Sequence, residues 1–427
     1  MAKVKKEIFS NIIGYDDIKK TLKTIVDVLN NGEKYKKLGC TIAHGLLLYG
    51  SPGTGKTSIA NEILECAINR HKYIIRKTKS DGDFMDYMNE VFEDARKNQP
   101  SIILLDDLDK FAEDNSRSNQ EEYVTVQSLI DDIKADDVFV IATANDYSCL
   151  PDSLIRAGRF DIQLEMDNPK EEDAIKIFSH YLKDKKIGKD VNVKNISYIL
   201  TDSSCAELEK VCNQAGIYAG FKNKKEIEMD DLVRASLELK YKTNIEDLNK
   251  NDKYSLETAY HEAGHTLIGE YFEPGLISFV TVAPSNSKTK GMTIYHDNED
   301  YFRDIVFMQN RVKMLLAGKA TSEVVFNKCD VGSEADLNRA FLIVQRIVDG
   351  YCFYDFNSSV NRTSRTGEVS EKTKDNKETS VNKLIKDYYN EVKTLLIEKR
   401  NILDELALKL NDKKILFQDE IRSIINC

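Results

Sequence analysis

Two residue patterns in this 427-residue chain are equipped for chemistry. The first is Gly50-Ser51-Pro52-Gly53-Thr54-Gly55-Lys56-Thr57. In such a loop the glycines let backbone N–H groups wrap phosphates, the lysine reaches the β- and γ-phosphates, and the threonine hydroxyl ligates magnesium. The second is His261-Glu262-Ala263-Gly264-His265. Histidines four apart share one helix face and can bind one zinc ion, and the glutamate between them is placed to take a proton from water. Only six histidines occur in the chain, so the pairing is specific. One pattern predicts a nucleotide site and the other a hydrolytic metal centre.

Each pattern needs elements to hold it. Residues 45–49, Gly-Leu-Leu-Leu-Tyr, read as a buried strand entering the glycine loop, and residues 57–64 read as the helix that leaves it. A second apolar strand, residues 101–105, ends in Asp106-Asp107, where a magnesium-coordinating acid and its catalytic neighbour are expected. A third, residues 138–144, ends in Asn145, whose amide is placed to orient a water near the γ-phosphate. Arg156 and Arg159 follow and have the character of arginine fingers, which stabilise transition-state charge. Fingers that act on a neighbour's nucleotide require a ring. The spacing of Tyr260, Ala263, Leu267 and Tyr271 predicts a helix over Ser255–Phe272 with one apolar stripe.

These residues resemble the AAA+ ATPases, with the phosphate loop at Gly50 to Thr57, the acidic pair at Asp106 and Asp107, the sensor amide at Asn145 and paired fingers at Arg156 and Arg159. The resemblance implies an α/β module with a parallel sheet, adenine at Ile13-Gly14, and a helical lid with Cys205-Ala206 near the nucleotide. The His-Glu-Ala-Gly-His sequence behind such a module resembles the FtsH-type zinc metalloproteases, which implies a mainly α-helical protease domain. In that family the third ligand is an aspartate after a Gly-Ala-Ser-like segment; Asp336 in Gly332-Ser333-Glu334-Ala335-Asp336 matches it, with Asp330, Glu334 and Cys329 as nearby rivals. The organisation expected is an ATPase core over 1–166, a lid over 167–248 and a peptidase over 249–427 with a mobile loop at 357–380. Implied with it are ATP, Mg2+ and Zn2+, protein substrates and a homohexamer.

Three places depart from the family pattern. Asp107 stands where the family has glutamate, shorter by about 1.5 Å of reach. The substrate-gripping aromatic is absent from its aligned position, which leaves Phe84-Met85 either as a shifted grip or as the apolar face of the next helix with Met88 and Val91. No apolar run approaches the roughly 20 residues that span a bilayer, so the chain resembles a form without the family's transmembrane helices.

Composition narrows the class further. A net charge of -10 argues against a nucleic-acid binder, because phosphate backbones attract basic faces. Eight scattered cysteines without a close-spaced ligand pair read as reduced thiols of a cytoplasmic protein. The expectation is an ATP-dependent zinc metalloendopeptidase. Its rivals are a remodelling ATPase with an inactive protease half and a zinc peptidase with a slow, regulatory ATPase.

Overall fold

A computed structural model describes residues 8–40, 42–77, 84–111, 121–156, 158–243, 255–283, 291–295, 304–329, 331–351 and 371–426. The chain forms two compact units, Met1–Val193 with Leu200–Leu232, and Lys194–Ile199 with Val233–Cys427.

The first unit is built on short apolar strands. In order come α1 (Asp16–Asn30), α2 (Gly32–Lys36), β1 (Gly45–Tyr49), α3 (Lys56–Cys66), β2 (His71–Ile75), α4 (Phe84–Lys97), β3 (Ser101–Leu105), α5 (Glu121–Asp132), β4 (Val138–Ala144) and β5 (Ile162–Glu165). The strands pair in the order β2-β3-β4-β1-β5, every pairing parallel. Every residue of β3 and β4 is buried, which is why both read as continuous apolar runs rather than alternating ones. Leu46, Leu48, Ile102 and Leu104 pack against α1 and α3 on one face. Leu47, Ile103, Leu105 and Val140 pack against α4 and α5 on the other. The acids, the asparagine and the phosphate loop all follow the C-terminal ends of strands, where such sheets bind ligands.

Helices α6 (Glu171–Leu182), α7 (Val193–Ile199), α8 (Cys205–Phe221) and α9 (Met229–Tyr241) follow. Helix α8 is fixed at its start by a capping box: Ser204 Oγ accepts from Glu207 N while the Glu207 carboxylate accepts from Ser204 N.

The second unit is mainly helical. It contains α10 (Ser255–Phe272), β6 (Ile277–Thr281), β7 (Met292–Tyr295), α11 (Ile305–Phe326), α12 (Glu334–Gln345), α13 (Glu371–Glu398), α14 (Arg400–Lys413), β8 (Ile415–Phe417) and α15 (Gln418–Ile425). Helix α10 has the expected bounds but not the expected single stripe. Residues from Ala259 to Glu270 are buried nearly all round, while Tyr271 is exposed. The difference arises because α11, α14 and β6 surround the helix. The three strands form an antiparallel sheet in the order β7-β6-β8. Of the segment expected to be a mobile loop at 357–380, residues from Glu371 onward belong to α13, and 357–370 lie outside the described residues.

Candidate functional site

The phosphate loop links the end of β1 to the start of α3. Gly53 has φ +81°, and a Cβ there would meet Ala206 and Ser204 at 3.0 Å, so only glycine lets the loop pass under the start of α8. Ala206 N donates to Gly53 O at 3.1 Å across that contact. Thr54 is buried and its hydroxyl donates to Ser51 O at 2.9 Å, while Ser51 and Pro52 are exposed. Lys56 is buried and donates to the carbonyls of Gly50 and Ser51, each at 2.8 Å. Burial lowers the lysine's pKa, against the opposing pull of Asp109 and Asp107. That leaves an ammonium held at the loop with little solvent to compete for it.

Asp106 directly follows β3 and is buried. Its Oδ1 accepts from Thr57 Oγ1 at 2.9 Å and from Thr143 Oγ1 at 2.8 Å, and its Oδ2 accepts from Arg76 Nε at 2.8 Å. Octahedral magnesium ligands lie about 2.9 Å apart along an edge, given metal–oxygen bonds of roughly 2.05 Å. The Thr57–Asp106 separation therefore suits a shared Mg2+. Asn145 Nδ2 donates to Asp107 Oδ1 at 3.1 Å, so the expected sensor amide and expected catalytic acid are in contact.

Ile13 and Gly14 precede Tyr15, whose backbone N–H donates to Asp173 Oδ2 at 2.9 Å. The Tyr15 hydroxyl donates to Asp167 O at 3.0 Å and lies 3.4 Å from Cys205 Sγ, which itself donates to Thr54 O at 3.6 Å. The segment expected at the adenine is thus tied to the phosphate loop through Cys205. Burial pushes up the pKa of both the Tyr15 phenol and the Cys205 thiol.

The two arginines differ. Arg156 is exposed. Arg159 is buried and forked onto Asp131, with Nε to Oδ1 at 3.1 Å and Nη2 to Oδ2 at 2.7 Å, and also donates to Gln127 and to Ser153 O. Phe84 is buried on α4, edge-on to Phe111 at 5.0 Å and beside Met88. Of the two readings of the Phe84-Met85 segment, the helix-face reading describes Phe84. Residues 79–83 of that stretch lie outside the described residues.

In the second unit, two glycines bring α10 and α11 together. A Cβ on Gly264 would collide with Thr321 Oγ1 and lie 3.1 Å from Ala317 O. A Cβ on Gly318 would fill the space beside both imidazoles, 2.6 Å from His265 Nε2 and nearer still to the His261 ring. His265 Nδ1 lies 2.7 Å from Met314 O, and a carbonyl only accepts, so Nδ1 carries the proton and Nε2 offers a lone pair. Nε2 of His265 is 3.1 Å from Nε2 of His261, and Asp336 Oδ2 is 3.3 and 3.7 Å from them respectively. Tetrahedral zinc ligands at about 2.05 Å are roughly 3.3 Å apart. The three atoms thus lie at the corners that zinc requires, with a fourth direction left. Among the described residues this trio is the one cluster of possible metal ligands. Of the rivals to Asp336, Glu334 and Cys329 are outside it and Asp330 lies outside the described residues.

Glu262 is buried. Thr293 Oγ1 donates to its Oε2 at 2.8 Å, and a Cβ on Gly291 would lie 2.8 Å from Oε1. Tyr295, at the end of β7, stacks under the Arg311 guanidinium at 3.7 Å, and burial pushes its phenol up to about 12. Glu323 faces away to a different task. It accepts from Lys319 at 2.5 Å and from Lys393 at 3.1 Å, joining α11 to α13.

Sequence reading missed Thr143, Arg76, Lys110, Thr293, Met314 and the role of Gly318. Lys110, three residues after Asp107, carried a usable spacing signal. The others act through long-range contacts that no local pattern announces.

An acid-and-threonine magnesium site at the C-terminal edge of a parallel sheet, in a chain with a His2Asp centre on packed helices, defines a nucleotide hydrolase joined to a zinc peptidase. Residues 46–168 match the ATPase family associated with various cellular activities (AAA), and residues 247–424 match peptidase family M41. The chain is 28% identical over 438 residues to ATP-dependent zinc metalloprotease FtsH 2 of Thermoanaerobacter sp. (strain X514), covering 97% of this chain and 82% of that one. It is 29% identical over 449 residues to FtsH of Karelsulcia muelleri (strain DMIN), covering 98% and 71%, and 28% identical over 445 residues to FtsH of Streptobacillus moniliformis, covering 98% and 64%. The chain belongs to the FtsH-type AAA+ zinc metalloproteases. With that family come ATP, Mg2+ and Zn2+.

Proposed function

We propose that this chain is an ATP-dependent zinc metalloendopeptidase that draws protein substrates in and hydrolyses their peptide bonds. The observation that carries the reading is the convergence of His261, His265 and Asp336 with Glu262 fixed beside them by Thr293. Zinc held there would supply Lewis acidity toward a water and the scissile carbonyl. Glu262 takes a proton from that water at Oε1, since Oε2 is held by Thr293, and then passes it to the leaving amine. On the nucleotide side, Lys56 binds the β- and γ-phosphates, Thr57 and Asp106 hold Mg2+, and Asp107 with Asn145 orients water.

The functional modules in this reading are 1–166, 167–248 and 249–427, in keeping with the two family matches. The assembly is a homohexamer in which Arg156, exposed on its own subunit, serves a neighbour's nucleotide. The site of action is the cytoplasm, a reducing compartment in which eight scattered cysteines stay as thiols. Among the described residues no helix is long and apolar enough to cross a membrane.

The test compares degradation of an unstructured and a folded, tagged protein, each with ATP, without ATP and with a zinc chelator. Cleavage of both that needs ATP and zinc, and is lost in Glu262→Gln, is the expected result. ATP hydrolysis with no cleavage in the presence of zinc would replace the reading with a remodelling ATPase.

A further inference from the structure

Asp107 is already engaged. It adopts φ 59° and ψ 52° and heads a 3-10 turn, Leu108–Lys110, closed by Lys110 N donating to Asp107 O at 2.9 Å. Side chains three apart eclipse in such a turn. Lys110 therefore folds back over Asp107, and its Nζ lies 2.6 Å from Asp107 Oδ2. Oδ1 accepts from Asn145 at 3.1 Å. Both carboxylate oxygens thus carry N–H donors, one of them cationic. The bond that Lys110 donates to Asp107 also raises the lysine's pKa, which keeps its charge on.

We propose that Lys110 is a positioning residue that restrains Asp107 and acts as a built-in brake on ATP hydrolysis. The proposal rests on the ATPase reading above. A carboxylate held by two donors must give up at least one of those bonds before it can swing toward the water it is to activate. The aspartate's short reach sharpens the conflict, because the carboxylate must leave Lys110 before it can approach the γ-phosphate. Restraint by an exposed ion pair is modest, and its ordinary range corresponds to about a two- to fivefold change in rate.

The experiment uses the full chain with Lys110→Ala, Lys110→Arg and Asp107→Asn, alone and combined. Lys110→Ala is expected to raise kcat for ATP about two- to fivefold with KM and the affinity for a non-hydrolysable ATP analogue little changed. Lys110→Arg retains the brake, and Lys110→Ala adds nothing in the Asp107→Asn background. Without nucleotide, NMR of 15N-lysine-labelled protein gives a slowly exchanging Lys110 ammonium signal that Asp107→Asn abolishes. An unchanged or lowered kcat in Lys110→Ala overturns the proposal, as does an ammonium signal indifferent to Asp107. If Asp107→Asn stops hydrolysis while Lys110→Ala changes nothing, only the brake falls. If wild type and Lys110→Ala both bind ATP and neither hydrolyses it, the ATPase reading falls with it.

Discussion

Gly318 on α11 and His261 on α10 are so close that no side chain fits between them. Gly318→Ala is therefore expected to displace the imidazoles and lower zinc affinity by about 10- to 100-fold, the usual effect of disturbing the groups that orient metal ligands. ATP hydrolysis should persist. Zinc content after dialysis, measured beside ATPase rate, checks this; a variant that keeps its zinc would show that the helices part freely.

The two candidate fingers should fail in different ways. Arg156→Ala is expected to lower ATPase activity in the assembled protein with little change in melting temperature. Arg159→Ala leaves Asp131 without its forked partner, and the loss is about 1–3 kcal/mol once the partial exposure of Asp131 is allowed for. Thermal unfolding separates them, and equal melting temperatures would mean that the Asp131 fork is dispensable.

Phe84 was open to two readings from sequence, and the structure makes it a core residue. Phe84→Ala should cost about 3–5 kcal/mol of stability, and Phe84→Leu much less. A grip residue would give the opposite pattern, with stability kept and degradation of folded substrates lost. Chemical denaturation of the two variants decides the matter.

Glu323 gives a pH signature. Burial alone would raise its pKa, but the hydrogen bonds it accepts from Lys319 and Lys393 hold the carboxyl at about 2, below the ordinary glutamate value of 4.5. Because the folded value is depressed, the stabilisation is present in full above about pH 4.5 and is lost as pH falls toward 2. Its size is about 1–3 kcal/mol. Glu323→Gln should remove that part of the acid dependence, measured as stability at pH 6 against pH 3. An unchanged slope would show that the charge cluster does not join α11 to α13 energetically.

Much of this was legible from residue order. The phosphate loop, the apolar strands 101–105 and 138–144 and the helix Ser255–Phe272 each carry local signals, because strand burial and ligand spacing on one helix turn are written within a few residues. Asp336 needed the family pattern, since its nearness to His265 is made by the packing of α10, α11 and α12 and not by spacing. Strand β8 went unseen: three residues between two helices are too few to show a period. The engagement of Arg159 by Asp131 was hidden for a related reason, as a buried arginine and a free one have the same letter.

Helix α10 carries His261, Glu262 and His265 through the middle of the second unit, with Glu262 and His265 buried among the residues that hold that unit together. The cutting edge and the keystone are one object. A copy of this domain damaged enough to expose α10 also loses the geometry that cleaves peptide bonds, so denaturation disarms it instead of releasing an uncontrolled protease. By the same linkage, zinc that binds the folded form alone steadies the whole unit.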